Sequence, residues 1–268
     1  MAQLVCIDID GTLMDTSNPE HFYIPQENIN TIQKALKKGI YVCISTGRMR
    51  NSAIKVAEQV GIQNEYLICY NGAMICHGNE IVFESEINEE QLKKINKIIK
   101  ENNVYAQFYI RDEYFVERKI DLTESYEKKI GVKAQEIGEN VFHLNKVTKI
   151  LSIAHSKEEK MKWMQLFTGI DGIVVTESQS TFIEITKSDA TKGHAVKTLA
   201  KMLGIDLKDV MAIGDAMNDV PMLDVVGYPV VMGQAEDRVK EGRLVTDRCE
   251  NSGVAKAIEK YCLNETTH

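Results

Sequence analysis

The 268-residue sequence contains neither a long apolar run nor an excess of basic residues. A membrane-spanning helix needs roughly 18 or more consecutive apolar residues, and the N-terminus reaches Asp8 without such a run or a basic leader. The net charge of -7 argues against a nucleic-acid-binding face, which needs clustered lysine and arginine. We therefore expect a cytoplasmic protein without a membrane or nucleic-acid partner.

The six cysteines form no Cys-x-x-Cys pair, which argues against a zinc site. Cys6, Cys43 and Cys69 each lie in an apolar, strand-like run, where a reduced thiol acts as a small hydrophobe. This usage is typical of a reducing compartment. Internal repeats and low-complexity linkers are also missing, so 268 residues predict one large domain or two modest ones.

The chain does contain a pair of acidic residues close to its start. An apolar run from Leu4 ends in Asp8 and Asp10, and Gly11 follows. The two-residue period of a strand places both carboxylates on one face, where a cation or a shared proton must offset their repulsion. A surface turn or a calcium loop could also carry Asp-x-Asp-Gly. The calcium loop is excluded because Pro19 stands where its glutamate would be.

Hydrophobic periodicity and turn signals predict an α/β fold with a Rossmann-like parallel sheet. The first third alternates strands at 4–8, 40–45 and 66–70 with helices at 25–38 and 49–60. The last third continues with helices at 193–203, 218–224, 236–242 and 254–261 and strands at 210–213 and 229–232. Between them, consecutive antiparallel strands predict an α+β module. We expect a discontinuous core of residues 1–83 and 187–268, interrupted by an inserted domain at 84–186.

Polar groups follow the predicted core strands or begin the core helices. Ligands of an open parallel sheet bind outside the carboxyl ends of its strands, so these groups should converge. They are Asp8, Asp10, Thr46, Gly47, Arg48, Lys192, Asp215, Asn218 and Asp219. Carboxylates beside cationic and amide groups indicate a magnesium site facing an oxyanion-binding site. Taken singly, Thr46, Asp215 and Asp219 could cap helices, and Lys192 and Arg48 could be surface charges.

Over essentially its whole length the chain resembles the haloacid dehalogenase (HAD) superfamily of phosphatases, in the Cof-type subgroup with a type IIB cap. The residues that are similar to the four superfamily motifs are Asp8-Ile9-Asp10-Gly11-Thr12, Thr46, Lys192 and Asp215-x-x-Asn218-Asp219. Subgroup signatures are matched by Asn71-Gly72-Ala73, Pro221-Met222-Leu223 and Val231-Met232-Gly233. The chain departs from the pattern at Ser45, in a longer segment at 16–24, and at 250–254.

The resemblance implies a Mg²⁺-dependent phosphatase for a small phosphorylated metabolite such as a sugar phosphate. Asp8 would be the nucleophile that forms an aspartyl-phosphate, and Asp10 the general acid and then the general base. Mg²⁺ would be held by the Asp8 carboxylate, the Asp10 backbone carbonyl and Asp215. Phosphate or substrate would be bound by Thr46, Gly47, Arg48, Lys192 and Asn218, with Asp219 and Asn71 in support. The inserted domain would act as a cap that reads the leaving group.

Two other functions remain open at this point. A phosphomutase could use the same phosphoenzyme, and a non-catalytic metabolite-binding protein could use the same scaffold. The substrate, the cap residues that recognise it and the oligomeric state are not readable from the sequence. Arg111 and Arg118 are candidates within the predicted cap.

Overall fold

The computed structural model describes residues 1–18 and 20–264, which fall into two compact units. The first unit comprises Met1–Phe83 with Thr191–His268, and the second comprises Glu84–Ala190. The sequence predicted the inserted domain at 84–186, which starts at the same residue as the second unit and ends four residues before it. The predicted fold class, a parallel α/β core with an inserted α+β unit, is confirmed.

The strands and α-helices of both units are numbered together in chain order. In chain order the strands are β1 (Leu4–Ile7), β2 (Tyr41–Ser45), β3 (Tyr66–Cys69), β4 (Met74–His77), β5 (Glu80–Glu84), β6 (Gln107–Ile110), β7 (Glu113–Val116), β8 (Gln135–Glu136), β9 (Lys149–Ile153), β10 (Ile173–Gln179), β11 (Phe182–Lys187), β12 (Val210–Gly214), β13 (Tyr228–Val231) and β14 (Leu244–Val245). The α-helices are α1 (Gln26–Lys37), α2 (Arg50–Val60), α3 (Glu89–Asn102), α4 (Asp121–Ile130), α5 (Lys157–Phe167), α6 (Lys192–Leu203), α7 (Val220–Leu223), α8 (Asp237–Lys240) and α9 (Gly253–Ile258).

The first unit is built on an eight-stranded sheet in the order β14-β13-β12-β1-β2-β3-β4-β5. The strands from β14 to β3 run parallel, and β4 pairs antiparallel with β3. Leu4 of β1 is in register with Tyr41 on one side and Val210 on the other. The carboxyl ends of β1, β2, β3 and β12 therefore lie along one edge, where the polar loops follow.

β1 is buried on both faces, as expected of a central strand in a parallel sheet. Leu4 and Cys6 share a hydrophobic cluster with Val196 and Leu199 of α6. Strand alternation places Asp8, the next residue of that series, on the side of the sheet that α6 covers. All six cysteines are free and buried.

The helix boundaries in this unit follow local capping chemistry. The Thr191 side chain accepts a hydrogen bond from the His194 N–H and begins α6. Gly204 ends the same helix in the left-handed conformation, which glycine adopts without steric cost. Gly61 ends α2 in the same way.

Three predicted helices in the first unit differ from the structure, and one strand was missed. The helix predicted at 218–224 is only the four-residue α7, because residues 215–219 form a hydrogen-bonded loop instead. The helix predicted at 236–242 is likewise short, and α9 passes into a π-helical turn after Ile258. The two-residue strand β14 was not predicted. A strand of that length carries no periodicity that a sequence could reveal.

The second unit contains a six-stranded sheet in the order β10-β11-β9-β6-β7-β8. Its pairs are antiparallel except for β7 with β8. Ile95 of α3 and Trp163 of α5 share one core cluster with Phe108 and Ile150 of the sheet. In the described parts of the chain, no helix combines the length and apolarity that a bilayer crossing requires.

A buried carboxylate ties together the α4 region of the second unit. Glu127 accepts hydrogen bonds from the ammonium groups of Lys133 and Lys119 and from the Ala134 N–H. These contacts, the one from Lys133 first, lower the pKa of Glu127 from 4.5 to about 2. The carboxylate thus remains ionised in the folded unit far into the acidic range.

Candidate active site

Asp8 follows directly on β1 and is almost completely buried, at 5% exposure. Gly11 follows in the left-handed region, with φ of +80°, and reverses the chain. A side chain at that position would overlap the carboxylate of Asp215. The turn after β1 therefore packs backbone against carboxylate, which only a glycine permits.

Lys192 is the first residue of α6 and is also buried, at 1% exposure. Its Nζ donates to Oδ1 of Asp8 at 2.6 Å and to Oδ1 of Asp219 at 2.5 Å. The reading of Lys192 as a surface lysine is therefore wrong. Its ammonium group lies between two carboxylates that are far apart in the sequence.

Asp219 is fully buried and uses both of its oxygens within the protein. While Oδ1 accepts from Lys192, Oδ2 accepts the backbone N–H groups of Asp215 and Ala216, each at 3.0 Å. Its side chain makes no capping bond to α7. Asp219 thus fixes the loop that carries Asp215 and orients Lys192.

Asp8, Asp215 and Asp219 form a cluster whose carboxylate oxygens lie within 4.8 Å of one another. Three carboxylates facing one ammonium group leave an excess of two negative charges. Hard oxygen donors with that excess fit a divalent cation of the Mg²⁺ type. Because Asp219 is already engaged, Asp8 and Asp215 are the carboxylates that can bind the ion.

Burial and the mutual repulsion of the carboxylates raise the pKa values of Asp8 and Asp215. Burial raises the pKa of Asp8, Asp219 adds to the rise, and the Lys192 ammonium opposes it. Burial, together with Asp219, also raises the pKa of Asp215, to about 6. For Lys192 the effect of burial, which lowers its pKa, is outweighed by Asp8 and Asp219, so its pKa is raised and it remains charged. A cation at the carboxylates would relieve their mutual repulsion.

Asp10 does not join the carboxylate cluster with its side chain. Its two oxygens accept hydrogen bonds from Arg48, Oδ2 from Nε at 2.8 Å and Oδ1 from an Nη at 2.5 Å. This two-point contact places Arg48 in the site, so the reading of Arg48 as a helix-surface charge is wrong. The side chain of Asp10 is 48% exposed and is therefore reachable from solvent.

The loop after β2 is held by a local hydrogen bond and not by a helix cap. Thr46 is buried, and its Oγ1 accepts the N–H of Arg48 at 3.2 Å. The N-cap residue of α2 is Met49, so the reading of Thr46 as a cap is also wrong.

Asn71, Asn218 and Gly47 meet at a strained turn after β3. Tyr70, Asn71 and Gly72 all have positive φ, which is costly for the two residues that carry a Cβ. Oδ1 of Asn71 accepts from Nδ2 of Asn218 at 3.2 Å, and a Cβ on Gly47 would lie 2.9 Å from Oδ1 of Asn71. The structure thus brings these three predicted residues together.

Two groups of contacts at this site were not foreseen from the sequence. The Thr12 hydroxyl donates to Oδ1 of Asp215 at 2.9 Å. Gln234 and Cys249 contact the backbone carbonyls of Gly11 and Thr12. Thr12 lies in a recognisable motif, and Gln234 follows a subgroup signature, but neither position signals a contact with residues so distant in the chain.

Comparison with known proteins identifies the family to which the chain belongs. A family model of haloacid dehalogenase-like hydrolases matches residues 5–258. A candidate phosphatase of Streptococcus pyogenes serotype M6 is 30% identical, over 98% of this chain and 99% of its own. The Bacillus subtilis phosphatase YcsE, which acts on 5-amino-6-(5-phospho-D-ribitylamino)uracil, is 29% identical over 97% of this chain and 96% of its own. TM0651 of Thermotoga maritima is 27% identical, with a TM-score of 0.86 and 97% of each chain covered.

The chain therefore belongs to the haloacid dehalogenase-like hydrolase family. The prediction of an enzyme of the phosphatase class is confirmed at that level. The prediction of a divalent cation is confirmed as far as a carboxylate cluster that can hold one. The individual roles of the site residues remain predictions.

Proposed function

We propose that this protein is a Mg²⁺-dependent phosphatase that hydrolyses a small phosphorylated metabolite through an aspartyl-phosphate on Asp8. The observation that carries the proposal is the cluster of Asp8, Asp215 and Asp219 beside the buried Lys192, with its excess of two negative charges. A surface acidic patch would not bury two carboxylates and an ammonium group beside a third, half-buried carboxylate.

Magnesium, when bound, would be held by Asp8, Asp215 and the backbone carbonyl of Asp10, and would neutralise charge between the nucleophile and the phosphate oxygens. Lys192 has three N–H donors, and two already hold Asp8 and Asp219. The third would bind a phosphate oxygen. Thr46 and Asn218 would bind further phosphate oxygens.

The reaction takes two displacement steps at phosphorus. Asp8 attacks phosphorus, the bond to the leaving oxygen breaks, and Asp10 gives that oxygen its proton. Asp10 then removes a proton from water, whose oxygen attacks phosphorus and releases the Asp8 carboxylate and inorganic phosphate. The solvent exposure of Asp10 suits a group that exchanges protons in both steps. The hydrogen bonds from Arg48 to the Asp10 carboxylate must break before Asp10 can protonate a leaving group.

A relative supports the substrate class that we propose. YcsE acts on a compound whose phosphate is carried by a ribityl chain. A phosphomonoester on a small polyhydroxylated chain, a sugar phosphate or a similar compound, is the class we propose here. The second unit would recognise the part of the substrate that leaves.

The test is phosphate release from a panel of phosphorylated sugars, polyols and nucleotides, with Mg²⁺ and with a chelator. We expect release by the wild type to require Mg²⁺ and to fall at least about 10³-fold in Asp8→Asn. Asp237→Asn is the matched control, because its side chain is fully exposed and it is not a member of the carboxylate cluster. Turnover retained by Asp8→Asn would exclude the nucleophile assignment, and equal turnover in the chelator would exclude the cation.

A further inference from the structure

Two side chains from the C-terminal part of the first unit contact the turn that follows β1. Gln234 donates from Nε2 to the Gly11 carbonyl, and its Oε1 accepts the N–H of Cys249 at 3.1 Å. The thiol of Cys249 donates to the Thr12 carbonyl at 3.1 Å. We call Gln234 and Cys249 the turn clamp, because they bind two successive carbonyls and each other.

The turn clamp is placed to act as a fixed support. Cys249 is buried, and burial raises the pKa of its thiol to about 12, so the thiol retains the proton that it donates. The Gln234 amide uses its donor and its acceptor at once, which fixes its orientation. The carbonyls of Gly11 and Thr12 are therefore each held in a fixed orientation.

The Gly11–Thr12 turn holds the Asp215 carboxylate by two contacts. The Thr12 hydroxyl donates to Oδ1 of Asp215, and the Asp215 carboxylate packs against the bare Cα of Gly11. A shift of the Gly11 or Thr12 peptide would displace that carboxylate. Asp215 is one of the two carboxylates left to bind a cation, since Asp219 is engaged elsewhere.

We propose that Gln234 and Cys249 are positioning residues that set the cation affinity of the site by holding the Gly11–Thr12 turn against Asp215. The inference rests on the proposed function, because the cation is the cofactor named there. Outer contacts that orient metal ligands typically contribute about 10–100-fold to affinity. Neither residue would touch the substrate or the cation.

The experiment is isothermal titration calorimetry of Mg²⁺ into the intact, substrate-free protein. Gln234→Ala removes both bonds of the amide, and Gln234→Glu keeps the shape and the acceptor but loses the donor to Gly11. Cys249→Ala removes the thiol, whereas Cys249→Ser restores a donor. The matched control is Gln33→Ala, since Gln33 also donates to backbone carbonyls, those of Val60 and Gly61, but at the end of α2.

We expect Mg²⁺ affinity to fall about 10–100-fold in Gln234→Ala and Gln234→Glu. Cys249→Ala should weaken affinity by a smaller factor, and Cys249→Ser should recover it, while Gln33→Ala leaves it unchanged. In steady-state assays kcat should recover at saturating Mg²⁺, which a loss of folded protein would not allow. The Cys249 pair carries the test if the Gln234 variants fail to fold.

Two negative outcomes are distinguishable. Wild-type Mg²⁺ affinity in folded Gln234→Glu and Cys249→Ala would overturn the role of the turn clamp and leave the proposed function intact. A wild-type protein that binds no Mg²⁺ would overturn the proposed function, and this inference with it.

Discussion

Replacing Lys192 with methionine removes the ammonium group that lies 2.6 Å from Asp8 and 2.5 Å from Asp219. At an effective dielectric constant of about 20, each ion pair has a gross attraction of about 6 kcal/mol. Desolvation of the charges cancels much of this, and deleting one partner of a buried pair typically costs about 3–5 kcal/mol. For a unit of this size that loss corresponds to a fall of about 6–20 °C in Tm. Methionine keeps most of the apolar stem, so the loss is mainly electrostatic.

The assay is thermal and urea unfolding of Lys192→Met and wild type, first in chelator and then in Mg²⁺. The substitution raises the excess of negative charge in the cluster from two to three, so a divalent cation should stabilise the variant more than the wild type. Binding at about 100 times Kd contributes about 2.7 kcal/mol, and tighter binding contributes more. Phosphatase activity should be lost under both conditions.

Lys149→Met provides the matched control, because Lys149 is also buried and pairs with Glu184 at 3.4 Å within the second unit. It should lower stability without changing the response to Mg²⁺. The electrostatic reasoning would be refuted if Lys192→Met unfolded like the wild type in chelator. An equal stabilisation of Lys192→Met and wild type by Mg²⁺ would also refute the electrostatic account.

Two further predictions concern other parts of the chain. The pKa of Glu127 is depressed from 4.5 to about 2, so its contribution to stability is complete above about pH 4.5 and is lost as pH falls towards 2. Urea unfolding from pH 5 to 2 should therefore show a weaker pH dependence in Glu127→Gln, and an unchanged slope would contradict this. At Gly72 φ is +104° and a Cβ would overlap the Thr191 carbonyl, whereas Gly39, with φ of +79°, has open space around it. Gly72→Ala should therefore lose clearly more than the roughly 1–2 kcal/mol expected of Gly39→Ala in the same melting assay, and equal losses would exclude the steric account.

Much of the first unit was predictable because its signals are local. The run from Leu4 to Ile7 and the helix stops at Gly61 and Gly204 each specify a boundary through a few neighbouring residues. The short α7 was not predictable in length. The residues before it form a loop in which Asp219 accepts backbone N–H groups and also binds Lys192, 27 residues away.

The members of the site were predicted because parallel strands bring their carboxyl ends together. The bonds between those members were not. That Arg48 holds Asp10, that Asp219 uses both oxygens and that Gln234 reaches Gly11 depend on side-chain directions across separations of up to 223 residues. Periodicity and motif spacing contain no information on such contacts.

The central position of β1 has a consequence for how the chain is made. Its neighbours β2 and β12 lie on opposite sides of the inserted unit in the sequence, and Asp8 and Lys192 are 184 residues apart. At ribosomal rates of about 5–20 residues per second, roughly 10–40 s separate their synthesis. Throughout that interval one edge of β1 lacks its partner, and the second unit, complete at Ala190, can fold first. The nascent chain thus contains Asp8 before Lys192, which pairs with it, has been synthesised. The site can be complete only when the final third of the polypeptide, with Lys192, Asp215 and Asp219, has emerged.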